Sequence, residues 1–340
     1  MTLRVLTGGL QTTVQDLGRP LHQHQGIPGG GAMDRLAMRV GNLLVGNAAG
    51  AATLETTLIG PTLKFAEETL IALTGADLEA AVGATQIPPW HPALVPSGAT
   101  LRFGRALRGC RSYIAVAGGI DVPLVFGSRS TYLRAEFGGF QGRALHAGDN
   151  LALGEPSSLS KRIAGSLRTV TNGQAASVAR WSAGASIRTG TGEEPFVRLI
   201  RGAHTDLLTE SSVAALVGSR FRISASSDRM GYRLDGESLS LRAPTELLSE
   251  GVAFGTVQLP PGGAPIVLMA DRQTTGGYPR IGEVASVDLG LIAQLKPGDH
   301  LRFRFISLEE AQALYLGCEH DLRQAELAIP FHLSRGGSAS

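Results

Sequence analysis

Pro96-Ser97-Gly98-Ala99-Thr100-Leu101-Arg102-Phe103 and Lys296-Pro297-Gly298-Asp299-His300-Leu301-Arg302-Phe303 are two versions of one phrase: a glycine turn running straight into a short strand. His146-Ala147-Gly148-Asp149-Asn150-Leu151 is a third, weaker version. A second echo joins Leu70-Ile71-Ala72-Leu73-Thr74-Gly75-Ala76-Asp77 to Pro265-Ile266-Val267-Leu268-Met269-Ala270-Asp271. The spacing, about 200 residues, is too long for a solenoid and suits two related domains in tandem.

Outward from these phrases the chain stays β-rich and punctuated, with 45 glycines and 17 prolines in 340 residues. Short apolar or β-branched runs lie between the breakers: Leu70–Thr74, Thr100–Phe103, Ser112–Ala117, Asn150–Leu153, Phe196–Ile200, Arg220–Ser224, Ile266–Ala270 and Leu301–Phe305. Many short strands with turn signals predict barrels or sandwiches with a few short helices. Asp34 reads as the N-cap of a helix over Arg35–Val45, with Leu36, Val40, Leu43 and Leu44 on one face and Gly46 as the stop. A second helix is expected over Glu210–Val217. A third starts at Ser307, where Glu310 completes a capping box. The resulting partition is a first barrel over 1–155, a Ser/Gly/Thr/Ala-rich junction over 156–195, and a second barrel over 196–306. A helical segment follows over 307–333, with a disordered tail at 334–340.

Hydrophobic residues at 43% and charged ones at 18% describe a globular chain. The net charge is +2, with no run of like charges, which points away from nucleic-acid and membrane partners. Cys110 and Cys318 form no disulfide framework or metal spacing, and no apolar run resembles a leader or a span. The expectation is a reduced, cytoplasmic chain.

One stretch fits no core pattern. Gly8 to Asp34 sets Thr12, Thr13, Gln15, Asp16 and Arg19 between glycines and prolines, and is read as a long polar loop of functional type. Standard catalytic signatures are missing: no Gly-Lys pair for a Walker A loop, no Met-flanked lysine for biotin, no Gly-x-Ser-x-Gly, His-Glu-x-x-His or CxxC. His22 and His24 are closely spaced but read as ordinary loop side chains, so no metal is expected.

Three polar clusters carry the candidate chemistry. The first is Gln15-Asp16-Leu17-Gly18-Arg19 with Asp34. The second is Ser128-Arg129-Ser130-Thr131-Tyr132-Leu133-Arg134, followed by Gly138-Gly139. The third pairs Asp228-Arg229-Met230-Gly231-Tyr232 with Asp271-Arg272-Gln273-Thr274-Thr275-Gly276-Gly277-Tyr278. Arginines among hydroxyls and glycines suit carboxylate or phosphate oxygens. The competing reading is that each Asp–Arg pair is only a loop staple.

At these clusters the sequence resembles the biotin-dependent carboxyltransferase family, whose members include the C subunits of 5-oxoprolinases and KipA-like and allophanate hydrolase subunit 2-like proteins. The matching runs include Thr12 to Arg19, Gly30 to Asp34, Leu54 to Pro61, Gly127 to Tyr132, Ser227 to Leu234 and Ala270 to Pro279. The resemblance implies two tandem cyclophilin-like β-barrels and a KipI-like partner subunit, with a LamB/YcsF-like subunit in the 5-oxoprolinase version. That assembly opens 5-oxoproline to glutamate with ATP hydrolysis, and this chain is expected to be inactive alone and to carry no covalent biotin. The alternatives within the family are a KipA-like regulator that binds a KipI-like kinase inhibitor, and a urea carboxylase-like carboxyltransferase component.

Under the 5-oxoprolinase reading, Asp16, Asp228 and Asp271 are candidates for orienting groups or handling protons. Gln15, Arg19, Arg129, Ser130, Thr131, Arg134, Arg229, Arg272, Gln273 and Thr274 are candidates for holding substrate carboxylate or phosphate.

Overall fold

The computed structural model describes residues 1–168, 175–184 and 194–335. Within these, the chain forms two compact units. Unit 1 contains 1–18, 34–168, 175–184 and 319–335; unit 2 contains 19–33 and 194–318. Most of the regular structure is β.

In unit 1 the strands are β1 (Thr2–Thr7), β2 (Thr12–Gln15), β3 (Thr53–Thr57), β4 (Thr62–Phe65), β5 (Thr69–Asp77), β6 (Ala81–Val82), β7 (Thr85–Gln86), β8 (Pro92–Val95), β9 (Thr100–Arg102), β10 (Arg108–Val116), β11 (Asn150–Ala152) and β12 (Ser177–Val178). They build two six-stranded sheets, ordered β11-β1-β4-β9-β6-β7 and β12-β8-β5-β10-β3-β2. One core is shared by both sheets. Leu3, Val5, Leu63, Phe65 and Leu101 enter it from the first, and Val14, Leu54, Leu73, Val95 and Ile114 from the second. These are the alternate positions of each strand, as a half-buried sheet requires.

Helix α1 (Arg35–Leu44) lies against β5 and β10. Asp34 caps it as expected, its Oδ1 accepting from Ala37 N at 3.0 Å. Gly41 allows close approach: a Cβ there would sit 2.9 Å from Thr74 Oγ1. Helix α2 (Ser158–Arg168) folds inside the segment read as a junction, burying Ser160, Ile163, Ala164 and Leu167.

In unit 2 the strands are β13 (Phe196–Arg201), β14 (Phe221–Ile223), β15 (Gly231–Asp235), β16 (Glu250–Gly251), β17 (Thr256–Gln258), β18 (Ile266–Leu268), β19 (Thr275–Gly276), β20 (Arg280–Val284) and β21 (His300–Phe305). Seven of them close a barrel in the order β13-β20-β17-β18-β15-β14-β21, and β16 and β19 form a separate ribbon. The barrel is filled by Val197, Leu199, Phe221, Ile223, Leu234, Val257, Val267, Ile281, Leu301 and Phe303. Closure removes the open sheet edge. Helices α3 (Glu210–Gly218) and α4 (Leu289–Ala293) belong to this unit.

Helix α5 runs from Leu308 to Arg335, 28 residues, and is the longest helix among the described residues. Its start is as read: Glu310 N donates to Ser307 Oγ at 3.1 Å. The tail beyond 335 lies outside the described residues.

The opening stretch also departs from its reading as a single loop. Thr12–Gln15 is a strand, every residue of it buried, paired with β3 from Thr12↔Thr56 to Gln15↔Thr53. Val14 alone faces the apolar core, and Thr13 and Gln15 point to the other face. The alternation is present, but the outward positions are polar and still buried, a combination that local pattern does not signal. Pro20–Gln25 forms a 3-10 turn.

Candidate functional site

In unit 1 the first and second clusters meet. The Asp16 carboxylate gathers four donors from two chain segments. Its Oδ1 accepts from Gly18 N at 2.8 Å, Ser128 Oγ at 2.6 Å and Ser130 Oγ at 2.6 Å; its Oδ2 accepts from Arg129 N at 2.6 Å. Ser130 Oγ in turn accepts from Asp16 N at 3.0 Å. Thr131 zips the free edge of β2, its N and Oγ1 both donating to Val14 O at 2.9 and 3.0 Å. Gly139, at φ +55°, makes room for this: a Cβ there would be 1.8 Å from Thr131 Oγ1.

Gln15 is fully buried; its Nε2 donates to Thr13 Oγ1 at 3.0 Å and Thr131 O at 3.2 Å, while its Oε1 meets no donor among the described residues. Arg129 reaches Val122 O through Nε at 2.9 Å and Asp121 through Nη2 at 3.5 Å. Arg134 is exposed and takes no part in the Asp16 bonds.

The outward face of the same sheet carries a buried ionisable network. Tyr113 Oη donates to Glu55 Oε2 at 2.7 Å and accepts from Asp34 N at 2.7 Å. Arg111 Nε stands 3.9 Å from Glu55 Oε1. Burial first, then the charges of Glu55 and Asp34, push the Tyr113 hydroxyl well above the ordinary phenol range.

In unit 2 the first and third clusters meet. Arg229 grips Asp271 bidentately, Nε to Oδ2 at 2.8 Å and Nη2 to Oδ1 at 3.0 Å, and Nη2 also donates to Gly31 O at 2.7 Å. The backbones are tied in step, with Asp271 N donating to Arg229 O at 2.8 Å and Gly30 N to Ala270 O at 3.1 Å. The pair is interior, with Arg229 6% and Asp271 4% exposed, and Arg19 beside it is 2% exposed. Gly30, at φ +60°, lets these groups converge: a Cβ there would be 3.1 Å from Arg19 Nη1 and 3.7 Å from Asp271 Oδ1. Arg272 donates through Nε to Val252 O at 3.1 Å. That carbonyl also accepts from Gln23 Nε2 at 3.0 Å.

Asp228 does not join its sequence neighbour: it is exposed, and its Oδ1 accepts from Met230 N and Gly231 N in a tight turn. Gln273 Nε2 reaches Gln258 Oε1 at 3.3 Å, and the carbonyl of Thr274 accepts from Gln23 Nε2 at 2.9 Å. Among the described residues no group of three or more His, Cys, Asp or Glu is placed to hold a metal.

Residues 25–305 match the family of carboxyltransferase domains, subdomain A and B. The chain belongs to this family. Its relatives with curated names include the C subunit of 5-oxoprolinase from Haemophilus influenzae, 37% identical over 307 residues that cover 89% of this chain and 91% of that protein. The Escherichia coli K12 protein of the same name is 40% identical over 309 residues, covering 91% and 93%. Among solved structures, the urea amidolyase of K. lactis superposes with a TM-score of 0.85 at 29% identity, over 95% of this chain and 20% of that one.

Sequence reasoning missed several residues of this carboxyltransferase-family chain. Ser128 stands in the second cluster but was given no role of its own, although it is one of the four donors on Asp16. Glu55, Tyr113, Gln258 and Glu283 were missed because each is a strand position outside any motif, and only cross-strand pairing sets Glu55 opposite Tyr113 and Glu283 opposite Thr256.

Proposed function

We propose that this chain is a subunit of a multi-chain 5-oxoprolinase that opens the lactam of 5-oxoproline to glutamate with ATP hydrolysis. The observation that carries the reading is similarity along nearly the whole chain, at 37% and 40% identity, to two proteins named as the C subunit of 5-oxoprolinase. The similarity to Lachancea kluyveri urea amidolyase covers only 17% of that much longer protein, which favours the urea carboxylase reading less. The proposed partners are a KipI-like and a LamB/YcsF-like subunit. The proposed compartment is the cytoplasm.

A lactam carbonyl is a poor electrophile, and ATP bound in the assembled complex would supply the activation by transferring its γ-phosphoryl group to that oxygen, with ADP as the leaving group. What this chain supplies is charge and positioning. Arg229 pairs with Asp271, and the Arg19 and Arg272 guanidiniums approach Gly30 and Gly29 of the same loop; arginines grouped this way suit substrate carboxylate or phosphate oxygens. Asp16 fixes the Ser128 to Thr131 turn and aims the Arg129 backbone and Ser130 hydroxyl. Gln15 and Thr131 hold the adjoining strand edge. Arg134 in unit 1, and Asp228 and Thr274 in unit 2, are further proposed contacts, each within its own unit, while Gln273 bonds to Gln258 and covers it.

The test is reconstitution of the three purified subunits and measurement of ATP hydrolysis with and without 5-oxoproline. The expected result is hydrolysis that requires both 5-oxoproline and this chain, with no turnover by this chain alone. Activity that persists when this chain is omitted overturns the reading.

A further inference from the structure

The outward face of β17 and β20 carries a small polar group that the preceding assignments leave unused. Val257 points into the barrel core, so Thr256 and Gln258 point outward. Glu283 lies directly across from Thr256. Thr256 Oγ1 is within 2.8 and 3.1 Å of the two Glu283 carboxylate oxygens, to which it donates, and it accepts from Ala253 N at 3.0 Å. Burial pushes the Glu283 carboxyl above the usual carboxylate range, with the Thr256 hydrogen bond acting in the other direction.

Gln258 is the anomaly. It is 1% exposed, and its Nε2 donates to nothing among the described residues. A buried amide N–H without an acceptor costs on the order of 1–3 kcal/mol, and native chains retain few such groups. A methionine would fill the same space with no unmet donor. Among the described residues, the Gln258 Oε1 is engaged only by Gln273 Nε2, at 3.3 Å.

The cover over this amide is thin. It includes Gln273 and Gly276, the latter in the two-residue strand β19, which pairs with the two-residue β16 whose residues are both exposed. Gly276 presses on the amide so closely that a Cβ there would lie 2.5 Å from Gln258 Nε2. A side chain at Gly276 would push the Gln258 amide aside, and two consecutive glycines, Gly276 and Gly277, give the cover a natural place to bend.

We propose that Gln258 and Glu283 recognise a cis-amide: Gln258 Nε2 donates to the carbonyl oxygen of a lactam or cyclic urea, and Glu283 accepts its adjacent N–H. A cis-amide presents C=O and N–H side by side on one edge; Gln258 stands on the same outward face two residues along β17 from Thr256, which Glu283 faces across the strand pair, so the proposed donor and acceptor address one ligand edge together. A trans-amide points the two groups in opposite directions and fails to satisfy both. Lifting of the Gln273 to Gly277 cover admits the ligand. The choice of a lactam within this class rests on the 5-oxoprolinase reading.

The experiment uses the assembled complex and full-length variants. For 5-oxoproline-dependent ATP hydrolysis, Gln258→Met is expected to raise KM at least about tenfold, the loss of one hydrogen bond of ordinary strength. Its thermal stability should be no lower than wild type, because an unmet donor has been removed. Gln273→Ala is expected to leave KM unchanged or lower it. The lactam 2-pyrrolidinone should inhibit competitively, and N-methyl-2-pyrrolidinone, which lacks the N–H, should not.

If Gln258 serves only to anchor the cover, Gln273→Ala and Gln258→Met will behave alike, and the proposal fails. It also fails if Gln258→Met leaves KM unchanged, or if the N-methyl compound inhibits equally. Should the wild-type complex show no 5-oxoproline-dependent hydrolysis, the functional reading falls separately. The recognition pair is then judged by saturation-transfer NMR of 2-pyrrolidinone on the full chain, where a signal lost in Gln258→Met sustains it and an absent or unchanged signal ends it.

Discussion

Deleting one partner of the Arg229–Asp271 pair should be among the most damaging single changes in unit 2. Asp271→Ala removes two charge-assisted hydrogen bonds, at 2.8 and 3.0 Å, and leaves the Arg229 guanidinium 6% exposed with its Gly31 bond. Uncompensated buried charges of this kind cost about 3–5 kcal/mol, against roughly 0–1 kcal/mol for an exposed pair. Arg229→Met strands the carboxylate instead and should cost a similar amount. The double variant Arg229→Met/Asp271→Ala removes both charges of the pair and should be more stable than either single variant. Urea denaturation followed by circular dichroism, on the four proteins at low and high salt, gives the double-mutant cycle. Weak salt dependence is expected because the pair is shielded from solvent. Single variants within about 1 kcal/mol of wild type, or strict additivity in the double, would refute the argument. If Arg229→Ala keeps full stability while the assembled complex loses activity, Arg229 serves the substrate and the staple reading is wrong.

Gly139→Ala should unseat Thr131, because its Cβ would fall 1.8 Å from Thr131 Oγ1 at a backbone φ of +55°; faster amide exchange at Thr131 and a lower unfolding midpoint are the readouts. Asp16→Asn retains one good acceptor where the carboxylate served four donors, so exchange protection at Arg129 N and Ser130 N should fall while that of β5 and β10 is unchanged. Tyr113 is held in its neutral form, above its ordinary value of 10.0, so its contribution to stability is present below that pH and is lost as pH rises through the higher folded value. Tyr113→Phe should lack this alkaline step and be less stable at neutral pH by about 1–3 kcal/mol, since Glu55 and Asp34 N each lose a partner. Glu283 is likewise raised, from 4.5, so its contribution is present below that pH and fades as pH rises through the folded value. Glu283→Gln should flatten that slope in a pH series of melts.

Legibility varied along the chain for identifiable reasons. The strand runs around Leu70, Ser112, Ile266 and Leu301 were readable because alternate side chains enter an apolar core. The starts of α1 and α5 were readable because capping is local, a matter of Asp34 and Ala37 or Ser307 and Glu310. β2 was not, because Thr13 and Gln15 are polar yet buried. α2 was not, because a Ser-rich opening hides its apolar face of Ile163, Ala164 and Leu167. The polar clusters stood out as sequence, but their partners did not. Asp228 and Arg229 are adjacent in the chain, yet their side chains separate, one into an exposed turn and one into a buried pair.

By itself, the sequence determined the mainly β class, the echo between the two halves, the family and the polar segments worth suspecting. All of these rest on local periodicity, turn chemistry or contiguous motifs. Only the tertiary structure decided which suspects meet. Asp16 with Ser128 and Ser130, Arg229 with Asp271 and Gly31, Tyr113 with Glu55, and Glu283 with Thr256 are joined by hydrogen bonds across 27 to 198 residues of chain. Such pairings depend on strand order, register and the room left by individual glycines, and no local window of sequence contains that information.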